Sequence, residues 1–436
     1  MNLVEIARSY VVLTHQIGLH HQEYVDAYYG PEELEPAECS TKDDFPLASL
    51  AARTDELLVS LGKLPDDDET RLRREFLRSQ LGTTKAAIRF ISGERVGFDQ
   101  EVREMYGVNV PKRDDQFFLD LHQGIETTLE KIENNYGLSY AGSLGERLEQ
   151  FSELFRLPDD KVEAAMQLSC ERAKQITSRY VNLLEGESID LQFKRGVPWS
   201  GYNYYQGGFR SLIATNLDNE VSLASVLTLG VHEAYPGHHT YNIILEELFV
   251  NERGWVELSI FAMFGPMGTI FEGLAMYAEG FALTKEEKRD LIVDLARETG
   301  IDERLKENGV PEEKVAEICE AYVHLSSMNG DLKYAAAEAG RMFYEGVANE
   351  EIVQWMMDHE LITQRKAKSR IHFFETYGSY IATYNAGRDL VTDYIEARVG
   401  QEDLSPEEVR DFRWGVYVEL LETPPLPERL QDYGID

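Results

Sequence analysis

The chain has 436 residues, 43% of them hydrophobic and 11% aromatic, which is ample for a packed core and argues against wholesale disorder. Its 78 acidic residues outnumber 43 basic ones and leave a net charge of −35. A surface this acidic repels nucleic acid and anionic lipid at long range and excludes both as partners.

In chain order, residues 2–19 open the pattern with apolar groups at Leu3, Ile6, Ala7, Tyr10, Val11 and Leu13, close to helical spacing. The stretch Asp26–Pro31 reads as a turn. Further helices are predicted near 47–62, 69–93, 114–135, 143–154 and 158–186. The last opens on Pro158-Asp159-Asp160, where acidic groups suit a helix start. Residues 187–220 break the helical rhythm. A loop at 196–199, containing Pro198, leads into Tyr202–Gly208, and 209–216 alternates as a strand does. With Gly207-Gly208 between them, these segments predict a small β-hairpin. From Ser222 the chain returns to helix, with segments expected near 221–235, 238–249, 254–263, 267–284, 285–300, 311–327, 330–345, 348–358, 361–373, 377–400 and 405–421.

The expected fold class is therefore all-α, a large multi-helix body with a deep cleft and a minor hairpin. A boundary near 190 would separate an N-terminal helical region, 1–190, from a region at 191–436 that holds the motif below; one continuous body is the alternative. Cys39, Cys170 and Cys319 are far apart and form no CxxC pair, which fits a reducing cytoplasm. The first residues lack the basic start and apolar run of a signal peptide, and no stretch approaches ~18 uninterrupted apolar residues, so no membrane span is expected.

The informative segment is His232-Glu233-Ala234-Tyr235-Pro236-Gly237-His238-His239. A helical zinc site places two histidines one turn apart, with a glutamate beside the first to activate water. Here the next histidines come six and seven residues after His232. On an ideal helix His238 would point away and His239 would stand ~10.5 Å up the axis. The motif works only if the helix breaks. Pro236 removes a backbone donor and Gly237 tolerates unusual dihedrals, so an interruption at Tyr235–Gly237 is expected, bringing His232 and His238 to one ion. Glu272, in an apolar helix, is the third candidate ligand, because a carboxylate buried there must be paired or metal-bound. Glu279 lies two turns on and would orient a ligand histidine. His239 is the alternative ligand, and as a fourth donor it would favour a structural ion. His20-His21 lacks a matching carboxylate pattern and reads as a structural or cleft-lining pair.

These segments resemble a known family. HEAYPGHHTY followed by FEGLAMYAE looks like the signature of the domain-of-unknown-function family 885, itself similar to the carboxypeptidase Taq family of zinc metallopeptidases. Gly237-His238-His239-Thr240-Tyr241 matches the G-H-x-x-Y part of the carboxypeptidase Taq motif, and Glu272 and Glu279 keep its E-x6-E spacing. The stretch Thr376–Arg388 is similar to a later motif at Tyr384 and Gly387, but Tyr377 and Ser379 replace its usual proline and glutamine. The resemblance covers roughly 200–400 and is faint over 1–190. It implies a zincin-like helical fold, His232, His238 and Glu272 as ligands, and Glu233 as general base.

The expected function is a zinc-dependent hydrolase, a metallopeptidase of carboxypeptidase type using one Zn2+, with Co2+ or Mn2+ as alternatives. Its substrate would be a peptide or small amide. Tyr384 is the candidate oxyanion stabiliser. The strand 209–216 would offer an edge to an extended peptide, with Gly207 and Gly208 allowing close approach. Arg210, Arg370 and Arg388 are candidates for pairing a terminal carboxylate. The alternative is a non-catalytic metal-binding or peptide-binding protein on the same scaffold. Oligomeric state is left open.

Overall fold

Helix starts are fixed by side chains that satisfy the first free backbone N–H groups. Asn2, Ser143, Thr284 and Ser405 each form a reciprocal capping box with the glutamate three residues on. Gly107, Gly137 and Gly300 end helices in the left-handed conformation that favours glycine. In the computed structural model, which describes residues 1–431 apart from 66, 198 and 219, the result is a mainly helical, all-α fold. Pro198 thus lies outside the described residues. None of the described helices is long and apolar enough to cross a membrane.

Most helices fall where the periodicity places them. The stretch predicted at 158–186 is shorter, spanning Asp159–Thr177, and two short helices, Phe98–Tyr106 and Ile301–Glu307, had no distinct signal. The β structure differs more. Strand β1 (Val25–Tyr28) occupies the predicted turn. Strands β2 (Ser188–Lys194), β3 (Gly201–Gly207) and β4 (Arg210–Asn216) form one sheet in the order β2-β4-β3. Strand β5 (Ile260–Ala262) replaces part of the helix expected at 254–263 and pairs antiparallel with β1. The expected hairpin is β3–β4, but a parallel neighbour, β2, is added to it. This corrects the role assigned to 209–216: β4 is the central strand, bonded on both sides, so the edges of the sheet belong to β2 and β3.

Two hydrophobic clusters fill the interior, and both draw on residues from either side of position 190. One joins Ile6, Tyr10, Leu77 and Val102 to Ala336, Ile371 and Phe374. The other joins Phe118, Phe151 and Phe155 to Tyr322, Trp414 and Tyr417. The helices Met267–Phe281 and Ala382–Val399 pack backbone to backbone. A Cβ at Gly273 would overlap the carbonyl oxygen of Gly387, and one at Gly387 would overlap that of Thr269. The two backbones touch because neither glycine has a side chain.

That contact makes a testable pair. Gly387→Ala forces the helices apart and should cost about 1–3 kcal/mol of unfolding free energy. Gly280, in the same helix as Gly273, has open space where a Cβ would stand, so Gly280→Ala should be neutral or stabilising by up to about 1 kcal/mol. Denaturant unfolding of both variants checks the difference.

Candidate metal centre

The chain leaves helical geometry in steps through the histidine motif. After the helix Leu223–Leu229 the backbone widens into a π-turn at Gly230–Ala234, where Tyr235 N–H donates to Gly230 O at 3.2 Å. Pro236 has no N–H to donate. Gly237 N–H then reaches back to Val231 O at 3.0 Å, and a Cβ on Gly237 would strike the carbonyl of His232. The helix restarts at His238–Leu245, with Tyr241 N–H bonded to Gly237 O at 3.1 Å. The interruption therefore sits at Tyr235–Gly237, and it brings the His232 and His238 rings to a centroid distance of 4.7 Å. The hydroxyl of buried Tyr417 lies 3.1 Å from Pro236 O and 3.3 Å from Leu274 O, tying this break to the helix that carries Glu272.

Glu272 completes a compact donor set. Its Oε2 is 3.3 Å from His232 Nε2 and 3.9 Å from His238 Nε2, and one donor atom from each residue lies within 4.8 Å of the other two. Glu272 is only 7% exposed, and its Oε2 has no hydrogen-bond partner among the described residues. Its other oxygen accepts from Tyr380 Oη at 3.1 Å. A buried carboxylate oxygen left bare beside two imidazole nitrogens fits a cation better than it fits a packed core. Glu279 Oε1 accepts from His232 Nδ1 at 2.8 Å, which leaves Nε2 for the shared space.

Charge at the centre is unbalanced. Burial alone would discharge His232, but Glu272, Glu279 and Glu233 override it and hold that imidazole well above its ordinary range. Burial and the neighbouring His232 push His238 down to about 4. Burial pushes Glu233 up to about 7, with His232 opposing and Glu272 and Glu279 adding to it. The group of carboxylates thus draws a proton onto one histidine, where a metal cation would satisfy it instead. Strand β3 supports Glu233: Asn203 Nδ2 donates to the Glu233 carbonyl at 2.7 Å, and Gly201 leaves room for the Glu233 carboxylate.

His239 points elsewhere, contrary to its expected role as an alternative ligand. Its Nδ1 is 2.8 Å from Ser211 Oγ and its Nε2 is 2.8 Å from Glu187 Oε2. Tyr235 Oη donates to the same Glu187 oxygen at 2.6 Å, and Lys174 pairs with Glu187. The arrangement resembles a Ser–His–acid chain, but Ser211 and His239 are sealed from solvent. It serves to anchor the residue next to His238.

The remaining candidates divide. Tyr384 lies beside Tyr380, with ring centroids 5.9 Å apart; burial keeps its phenol protonated, and the charges of Glu272 and Glu233 add to this. Of the arginines, Arg370 is the one whose charge reaches Tyr384; it pairs with Glu360 at 2.9 Å. Arg388 is held by Asp331 at 3.0 Å and the Tyr334 hydroxyl at 3.1 Å, away from the donor set. Gly207, Gly208 and Arg210 lie at the turn of the β3–β4 hairpin, about 13 Å along β3 from Asn203. There Gly207 packs against Tyr29 and Gly208 N–H donates to Glu246 at 3.0 Å. These three residues are turn formers in the fold rather than neighbours of the donors. His20 bonds to Phe45 O at 2.8 Å, and His21 packs against Phe264.

Sequence reasoning missed two groups. Tyr380, which reaches Glu272, lies inside the late motif but outside its matched positions. Asp26 lies in the segment read as a turn, and its charge bears on Tyr204, Tyr377 and Tyr380. No local pattern marks Asp26.

No family profile matches the chain, and no curated protein matches it in sequence. Solved structures match it in shape. A protein described as a candidate lipoprotein from Colwellia psychrerythraea aligns with a TM-score of 0.53 at 14% identity, over 89% of this chain and 69% of that one. A candidate lipoprotein of unknown function from Shewanella oneidensis aligns with a TM-score of 0.49 at 13% identity, over 88% and 72%. At such identity the first of these likenesses speaks for a shared fold and nothing further.

Proposed function

We propose that the protein is a metal-dependent hydrolase of peptides or small amides, with His232, His238 and Glu272 holding one ion, zinc in the first instance. The observation that carries this reading is the bare Oε2 of buried Glu272, facing two imidazoles. A resident ion would polarise the scissile carbonyl and the attacking water. Glu233, buried and pushed up to about 7, takes the water's proton and passes it to the departing amine. The protonated phenol of Tyr384 donates to the oxygen that gains charge in the transition state. Tyr380 holds the second oxygen of Glu272 and so fixes the ligand's orientation.

Because His239 is committed to Ser211 and Glu187, it would not supply the fourth protein donor that a structural ion needs, which favours a catalytic ion. A carboxypeptidase preference would draw on Arg370, which would exchange its pairing with Glu360 at 2.9 Å for a terminal carboxylate. A reducing, cytoplasmic setting is part of the proposal and is supported by the unpaired Cys39, Cys170 and Cys319.

Three substitutions test it. Glu233→Gln should abolish turnover of a peptide library, read by mass spectrometry, while bound metal stays near one ion per chain; retained activity would remove Glu233 as the base. Glu272→Ala should lower bound zinc, and unchanged metal stoichiometry would take Glu272 out of the ligand set. Tyr384→Phe should lower kcat by about 10²-fold with little change in KM.

A further inference from the structure

Strands β1 and β5 lie against the donor set: Phe261 of β5, which faces Ala27 of β1, packs at 4.9 Å on Phe271, the neighbour of Glu272, and Phe271 lies 6.1 Å from the His238 ring. Asp26 lies in β1, where the pairing with β5 slips: Val25 faces Ala262, Ala27 faces Phe261, and Asp26 is the extra residue between them. A bulge of this kind turns a side chain out of the ladder and is common beside functional sites. Asp26 is half-buried, and its Oδ1 is sealed from solvent with no hydrogen-bond partner among the described residues. The charges that bear on it most, after burial itself, are those of Glu272, Glu23 and Glu233. All three are carboxylates, and two belong to the proposed centre. Glu23 accepts from Tyr377 Oη at 3.3 Å.

Asp26 is not among the three donors that converge within 4.8 Å, so an ion held by them leaves it unsatisfied. A lone carboxylate in such surroundings costs free energy unless a cation or donor meets it. Burial and the neighbouring carboxylates push Asp26 up to about 8, as expected where that partner has still to arrive. The tyrosines around it, Tyr204, Tyr377 and Tyr380, are neutral and cannot discharge it.

We propose that Asp26 is the docking point for an ammonium group of the substrate, held on the β1–β5 side of His232, His238 and Glu272. This rests on the hydrolase reading, though not on a carboxypeptidase preference, and narrows it to short peptides that carry a free amine within reach of Asp26. The amine is either the α-amino terminus or a lysine side chain.

The test measures binding calorimetrically on the metal-loaded, full-length Glu233→Gln protein. The probes are the tetrapeptide Ala-Leu-Ala-Leu, its N-acetylated form, and an N-acetylated form with lysine as the second residue, all with free carboxyl ends. The free-amine peptide should bind at least tenfold more tightly than the acetylated one, and Asp26→Asn should erase that difference. Recovery of affinity by the lysine peptide would assign the subsite to a side chain; its failure to recover would assign it to the α-amine. Equal binding of all three probes, or a preference that survives Asp26→Asn, would overturn the proposal. Asp26→Glu, which keeps the charge, should retain part of the preference.

A carboxyl that titrates higher in the fold than in the free chain weakens the fold once pH exceeds its ordinary range. Asp26→Asn should therefore leave the melting temperature at pH 8 unchanged or raised. A fall would make Asp26 a structural residue and count against the subsite. Wild-type turnover, measured separately, keeps the two readings apart. An Asp26-dependent preference without turnover leaves the subsite standing and removes the hydrolase; turnover without the preference does the reverse.

Discussion

The architecture around the candidate centre depends on one interaction: a carboxylate, Glu272, buried against two imidazoles with one oxygen left bare. Burying a carboxylate is expensive unless cations or donors meet it, so the surrounding residues must hold it in place. Tyr380 secures its other oxygen, Glu279 fixes His232 from behind, and Tyr417 ties the broken helix to the helix of Glu272. The neighbouring His239 is held by Ser211 and Glu187. His238 therefore sits between two fixed points, the restart of the helix and this anchored neighbour.

Much of this was legible because it was local. The conflict between histidine spacing and helical geometry, with proline and glycine placed between, predicts the interruption that the structure contains at Tyr235–Gly237. Glu272 stood out as a charge in an apolar helix. The all-α class followed from periodicity, and helix ends often followed from capping residues such as Asn2 and Thr284.

What could not be read depended on partners far away in sequence. Strands β1 and β5 are four and three residues long and stabilise each other across more than two hundred residues of chain, so neither carries a pattern of its own. The commitment of His239 to Glu187, the central position of β4, and the diversion of Arg388 to Asp331 are likewise tertiary outcomes. Gly207 and Gly208 suggested room for substrate, but a glycine needed for a left-handed turn gives the same letter in the sequence.

The glycine contact between Met267–Phe281 and Ala382–Val399 has a mechanical consequence. One helix carries Glu272, and the other carries Tyr384 three residues before Gly387. With the two backbones in direct touch, this pair behaves as a single stiff beam, and there is little slack for Tyr384 and Glu272 to shift relative to one another. Any widening needed to admit a ligand falls to the opposite flank, formed by the short paired strands and the tyrosine-rich edge of β3. The half that carries the metal donors is the anvil, and the half built from short strands is the part free to adjust.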